Sequence, residues 1–209
     1  MPIKFKKLLY VKSVRIIIDR LWRDNPIFSM CLGVCSALAV TNKVENAIAM
    51  GVGVTFVLVA SSVIISFLRK LISSRIRMII YMVTISTFVI VVDRLLKAFF
   101  PSISEAIGPY IGLIITNCLI MGRADAFAIK NEVRYSALDG LASGIGYSYT
   151  LIIISIIREV LAFGSVLGMK VTPEWWTNWV VMAMAPGAFF VLSIFLWITR
   201  NMAKIQPEK

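Results

Sequence analysis

With 209 residues, 59% apolar content, 16% charged residues and a mean hydropathy of +0.86, the chain reads as one polytopic membrane domain. A soluble domain of that size carries about a quarter charged residues. The formal charge of +11 would point a soluble protein toward nucleic acid; here it reads as positive-inside bias, with a lipid membrane and no nucleic acid as partner.

Residues 1–24 form a basic amphipathic segment, expected on the cytoplasmic side. Residues Met1 to Arg23 carry seven Lys/Arg interspersed with apolar residues, without a continuous hydrophobic region or small-residue cleavage site. Lys12, Arg15, Arg20 and Arg23 fall within about 140° of arc at helical spacing, and Val14, Ile17, Ile18 and Leu21 occupy the other side. That pattern predicts a helix lying on an anionic leaflet; the plainer alternative is a basic tail obeying the topology rule.

Residues 25–209 read as a single six-helix membrane domain. The segments run from about Pro26 to Val40, Ala47 to Leu68, Met78 to Phe100, Ile107 to Met121, Gly140 to Ile157 and Trp179 to Ile198. Crossing 30 Å of hydrocarbon takes about 20 helical residues, so the first and fourth segments are short. With the N-terminus inside, 17 Lys/Arg lie on the inner side and 5 outside, Arg158 and Lys170 among the latter. Both termini are therefore expected in the cytoplasm. No soluble domain fits between the segments, so a flavin or nucleotide site of ordinary size must lie on another polypeptide.

One phrase occurs twice. Pro26 is followed nine residues later by Cys35, and Pro109 nine residues later by Cys118. Gly51-Val52-Gly53 recurs as Gly144-Ile145-Gly146, and Val63 to Lys70 recurs as Ile152 to Glu159. The fold class expected is thus an all-α membrane protein whose six transmembrane helices form two inverted three-helix repeats, about 25–100 and 107–200, with broken first and fourth helices. An odd number of spans per unit turns the second copy upside down, and short Gly/Pro-interrupted segments in corresponding positions mark the functional centre.

No histidine occurs in the chain, so the thiols are its best metal ligands. Cys35 and Cys118 admit three readings: small buried apolar residues, a disulfide, or half of an iron–sulfur site. A [2Fe-2S] cluster takes four thiolates, and a partner chain would have to supply the rest. Cys31 has Ile114 as its counterpart in the repeat and reads as a spectator. Asp93 is either an ion-pathway acid at depth or, preferably, an interfacial acid paired with Arg94 or Lys97. Arg123 and Asp125 read as a cytoplasmic stop and a docking surface, and Trp175, Trp176 and Trp179 as an outer aromatic belt.

The stretches LGVCSALAVTNKVENAIAMG, VIVVDRLLKAF, GLIITNCLIMGRADAFA and LDGLASGIGY resemble the D-type subunits of the Na+-translocating NADH:quinone reductases. A related family is the E-type subunit of the Rnf complex, which couples ferredoxin and NAD. It more often has Pro after the first cysteine, where this chain has Ser36, and Val92-Asp93 is closer to the quinone-reductase pattern. Asp125 stands where Glu is more usual, and the loop before Trp175 is short.

The resemblance implies a multi-pass subunit of a translocase in the bacterial inner (cytoplasmic) membrane. It implies pairing with a homologous E-type subunit of opposite topology, within a complex that also contains A-, B-, C- and F-type subunits. The pair would share an intramembrane [2Fe-2S] cluster with two cysteines from each chain, here Cys35 and Cys118. Electrons would pass from NADH through the F-type subunit to this cluster, then through flavins to ubiquinone, with Na+ exported. NADH, flavins and quinone are implied on other subunits, and no catalytic acid, base or nucleophile is assigned to this chain. An Rnf-type subunit and a stand-alone inverted-repeat secondary transporter are the alternatives.

Overall fold

The computed structural model of the chain describes residue 27 and residues 31–73, 75–99, 101–166, 169–170 and 179–203. The expected amphipathic helix of residues 1–24, together with Pro26, Trp175 and Trp176, lies outside the described residues.

The described chain is helical apart from one minute hairpin. Helix α1 (Val34–Val40) is a seven-residue fragment that starts at Gly33. Helices α2 (Val44–Leu68) and α3 (Arg77–Phe99) are full spans. Helix α4 (Pro101–Ile115) is followed by α5 (Cys118–Arg123) and a π-helical turn over Ala124–Ala128. Helix α6 (Val133–Phe163) ends at Gly164 and leads into strands β1 (Ser165–Val166) and β2 (Met169–Lys170), paired antiparallel. The short α7 (Val180–Ala183) and the longer α8 (Ala185–Ala203) close the described chain.

Among the described residues four helical stretches are long and apolar enough to cross a membrane: Val44–Leu68, Arg77–Phe99, Gly108–Ala128 and Val133–Phe163, with Pro186–Thr199 a shorter apolar helix. Many residues in them are β-branched, which disfavours helix in water. In hydrocarbon every backbone polar group must be satisfied within the segment, so the helix forms regardless. The surface agrees with lipid contact: Phe67 and Trp197 are exposed, at 77% and 72%, while Ser61, Ser143, Thr150 and Ser155 are fully buried. The chain is a multi-pass helical membrane protein.

Helices α2 and α6 form the central pair. At 25 and 31 residues they extend about 37 Å and about 46 Å. They cross where side chains are small. A Cβ on Gly51 would stand 2.8 Å from Ser148 Oγ, and one on Gly144 would stand 2.7 Å from Thr55 Cγ2. Close backbone approach through small residues is the usual means of joining helices in lipid, where no hydrophobic force acts between them.

Three segments depart from the sequence reading. The fourth is not short: its helical stretch covers Gly108–Ala128, interrupted at Asn117. The fifth extends well beyond Gly140 to Ile157, because Asp139 and Arg158 lie inside α6 and are buried, at 2% and 1% exposure. Arg158 is accordingly not an outer-loop cation. The sixth is not continuous. Met184 is extended (φ −78°, ψ 164°) between α7 and α8, and Pro186 then suits the opening turn of α8, where its missing N–H costs nothing.

Candidate functional site

The second break is built by Asn117. Its backbone is extended (φ −67°, ψ 115°), and its side-chain oxygen accepts a 3.0 Å bond from Leu119 N–H, capping α5. Cys118 is therefore the first residue of α5, a position where backbone N–H groups and the positive helix end point outward. The first break is built by Gly33, left-handed at φ 81°. A Cβ there would stand 2.8 Å from Cε2 of Tyr147, so the turn needs glycine for conformation and for space. Cys31, at φ 51°, is a non-glycine residue in left-handed backbone. Leu32 between them packs on Gly122 of α5.

The two breaks touch. Gly33 N–H donates to Cys118 Sγ at 2.9 Å, across 85 residues of sequence. Behind this contact lies a buried polar knot. Ser36 Oγ donates to Gly33 O at 3.0 Å, receives Asn117 Nδ2 at 3.3 Å and meets Tyr147 OH at 2.6 Å. Ser36, Asn117 and Tyr147 are at most 3% exposed. All three cysteines are free thiols, which sets aside the disulfide in this chain. Cys35 and Cys31 are exposed, and Cys118 is half-buried. The structure thus places Cys118 against the turn two residues before Cys35. Among the described residues no three or more Cys, Asp or Glu gather into a group that could hold a metal on its own.

Further along α6, Arg158 and Glu159 tie down the other end of α1. Arg158 Nη1 donates to Thr41 Oγ1 at 2.5 Å and to Leu38 O at 3.4 Å. Its Nε and Nη2 reach Met182 O at 3.2 Å and Met184 O at 3.4 Å. Glu159 Oε2 accepts Val44 N–H at 2.8 Å, capping α2. One dipeptide therefore bonds a C-terminal carbonyl of α1, the first N–H of α2 and two carbonyls at the α7–α8 break. Sequence reasoning gave neither residue a structural role.

The C-terminal end of the fourth segment also differs from expectation. Arg123 is not a surface residue. It is 2% exposed, paired in two-pronged fashion with Asp139 of α6, and stacked 5.5 Å from the Phe127 ring centroid. Asp125 is half-exposed and bonded to Arg77 at 3.1 Å. Asp93 accepts Lys97 Nζ at 2.7 Å, one helical turn away, which is the local pairing expected of it.

A helical membrane protein with free thiols at two abutting helix breaks is the class that fold and site define. Residues 13–196 match the family model described as Rnf-Nqr subunit, membrane protein. The chain is 45% identical over 202 residues to the D-type subunit of the Na(+)-translocating NADH-quinone reductase of Chlamydia felis, covering 92% of this chain and 94% of that protein. It is 46% identical over 190 residues to the protein of the same name from Chlamydia trachomatis serovar L2, covering 86% and 89%. The namesake from Psychromonas ingrahamii is 43% identical over 190 residues, covering 88% and 90%. The chain belongs to the Rnf-Nqr family of membrane subunits.

Proposed function

We propose that this chain is the D-type membrane subunit of a Na+-translocating NADH:quinone reductase. In this reading Cys35 and Cys118 provide half the ligands of a [2Fe-2S] cluster shared with a homologous E-type subunit. The observation that carries it is the Gly33 N–H bond to Cys118 Sγ. It joins the second break to the first, and N–H donors to sulfur are one way in which proteins set the potential of such clusters.

The donor set suits half a site. Cys118 is held by an N–H donor where α5 begins. Cys35 presents its thiol at the surface of the chain, where a second subunit can reach it. Two thiols satisfy half of a four-thiolate requirement, so the partner completes it. When bound, the cluster supplies one-electron transfer across the middle of the membrane. The chain's own residues orient the thiols: Asn117 starts α5 at Cys118, and Gly33 turns the backbone into α1. The Ser36 and Tyr147 hydroxyls hold those two turns together and occupy buried space that water would otherwise take.

The α2–α6 crossing supports two inverted repeats, since Gly51 and Thr55 in one helix match Gly144 and Ser148 in the other at the same spacing. In this reading the chain has six spans with both termini cytoplasmic, supported by that arrangement and the Lys/Arg distribution, and the likeness to the D-type subunits supports the bacterial inner membrane. NADH, flavins and ubiquinone belong to the A-, B-, C- and F-type subunits in this scheme, with Na+ as the exported ion.

Co-expression with the partner subunit, followed by iron analysis and EPR, tests the reading. About two irons per pair are expected, lost in Cys35→Ala and in Cys118→Ala and retained in Cys31→Ala. An iron-free, EPR-silent pair would sink it in favour of a secondary transporter of the same architecture.

A further inference from the structure

Tyr147 has no place in the ligand set, yet it is the fully buried side chain on which both breaks close. Its ring lies where a side chain on Gly33 would stand, 2.8 Å from the ideal Cβ position. Its hydroxyl meets Ser36 Oγ at 2.6 Å.

The proton inventory fixes the direction of that bond. A serine hydroxyl has one proton and two lone pairs. Ser36 gives its proton to Gly33 O at 3.0 Å and accepts Asn117 Nδ2 at 3.3 Å. One lone pair is left, so Tyr147 O–H is the donor. Ser36 is thereby saturated, with one bond to each break and one to α6. Its bond to Gly33 O and the tyrosine ring together hold the peptide whose N–H points at Cys118 Sγ.

We propose that Tyr147 is a positioning residue for Cys118: through Ser36 and the Gly33 turn, it aims the Gly33 N–H at the sulfur. This rests on the cluster-half reading above. A donor to a ligating sulfur favours the more negative, reduced form and raises the potential. Tyr147→Phe keeps the ring against Gly33 but removes the hydroxyl tie between Ser36 and α6 and leaves a lone pair on Ser36 without a donor; the turn loosens and the N–H···S contact lengthens, so the potential falls. Ser36→Ala removes the hub and acts in the same direction. Tyr81, on α3 and bonded to Asp125, lies outside the latch and serves as control.

The experiment is an EPR-monitored redox titration of the co-expressed subunit pair in the membrane complex. Tyr147→Phe and Ser36→Ala are expected to lower the ratio of reduced to oxidised centre about tenfold at a fixed poise, which is about 59 mV for a one-electron couple. Tyr81→Phe is expected to titrate as wild type. Iron loss in Tyr147→Phe with normal recovery of the partner also supports the role. A wild-type pair without iron overturns the cluster reading. A wild-type pair with iron, whose potential is unchanged in Tyr147→Phe and Ser36→Ala, overturns the role of Tyr147 alone. So does failure of Tyr147→Phe to assemble while Ser36→Ala titrates as wild type, because the ring is then needed only for folding.

Discussion

Thr55 and Ser148 meet hydroxyl to hydroxyl at 3.2 Å, and each also lies within reach of the glycine carbonyl four residues earlier in its own helix, at 2.7 Å and 2.8 Å; with one proton apiece, one hydroxyl donates across the crossing while the other donates to its own glycine carbonyl. The two halves of the contact mirror each other. Each hydroxyl side chain lies over the other helix's glycine, so the backbones approach closely and the polar groups are satisfied within the crossing. In lipid such hydrogen bonds average about 0.6 kcal/mol. A double-mutant cycle of Thr55→Ala and Ser148→Ala in detergent unfolding is expected to give a coupling of about that size. Gly144→Val, by contrast, drives a side chain into Thr55 and is expected to cost about 1–3 kcal/mol.

Gly33→Ala is expected to damage the site more than its size suggests. The left-handed turn strains any L side chain, and the new methyl meets the Tyr147 ring at 2.8 Å. A cost of about 1–2 kcal/mol follows from the backbone alone. Thermal unfolding of the purified chain reads that loss. Alkylation of Cys118 is expected to accelerate as well, since the Gly33 N–H leaves its sulfur.

The Arg123–Asp139 pair is buried on both sides, at 2% and 3% side-chain exposure. Removing one side breaks a buried, two-pronged ion pair, so Arg123→Ala and Asp139→Ala are each expected to cost about 3–5 kcal/mol. Replacing both with apolar residues of similar volume is expected to recover most of that. A double variant as unstable as either single one in the same unfolding assay would refute this account.

Arg158→Lys is expected to behave as a loss, not as a conservative change. The guanidinium reaches Thr41 and three carbonyls in different directions, and a lysine ammonium cannot span that fork. Glu159→Gln keeps an acceptor for Val44 N–H, whereas Glu159→Ala loses it at the usual capping cost of about 1 kcal/mol. The measured order of stability should be wild type, then Glu159→Gln, then Glu159→Ala.

The pair of Asp93 and Lys97 should matter least. The Lys97 side chain is more than half exposed, and pairs of this kind contribute about 0.2–1 kcal/mol. Lys97→Ala is expected to shift the unfolding midpoint marginally, and a large loss would reveal a further partner for Asp93.

Much of the site was legible in the residues. The spacing from Pro to Cys pointed to Cys35 and Cys118, and the Gly/Pro-interrupted first and fourth segments pointed to the breaks. The burial of Arg123, Asp139, Arg158 and Glu159 was not, because hydropathy treats a charge as the end of a span. A charge can lie inside one when its partner does too, and the partners here are 16 residues away for Arg123 and more than 110 for Thr41 and Val44. The interruption of the last segment did carry a signal, Ala185-Pro186-Gly187, which the apolar run around it obscured.

Composition and apolar lengths are enough to establish a helical membrane protein, because backbone in hydrocarbon has few alternatives to helix. The sequence also singled out Cys35 and Cys118, because only two of the three thiols sit nine residues behind a proline. Tertiary structure alone decided that the breaks abut and that Tyr147, Ser36 and Asn117 lock them. It also decided which charges are buried. The lock depends on hydrogen bonds between groups 81 to 111 residues apart and the buried charges on partners 16 to 120 residues away, and nothing local in the chain encodes such a pairing.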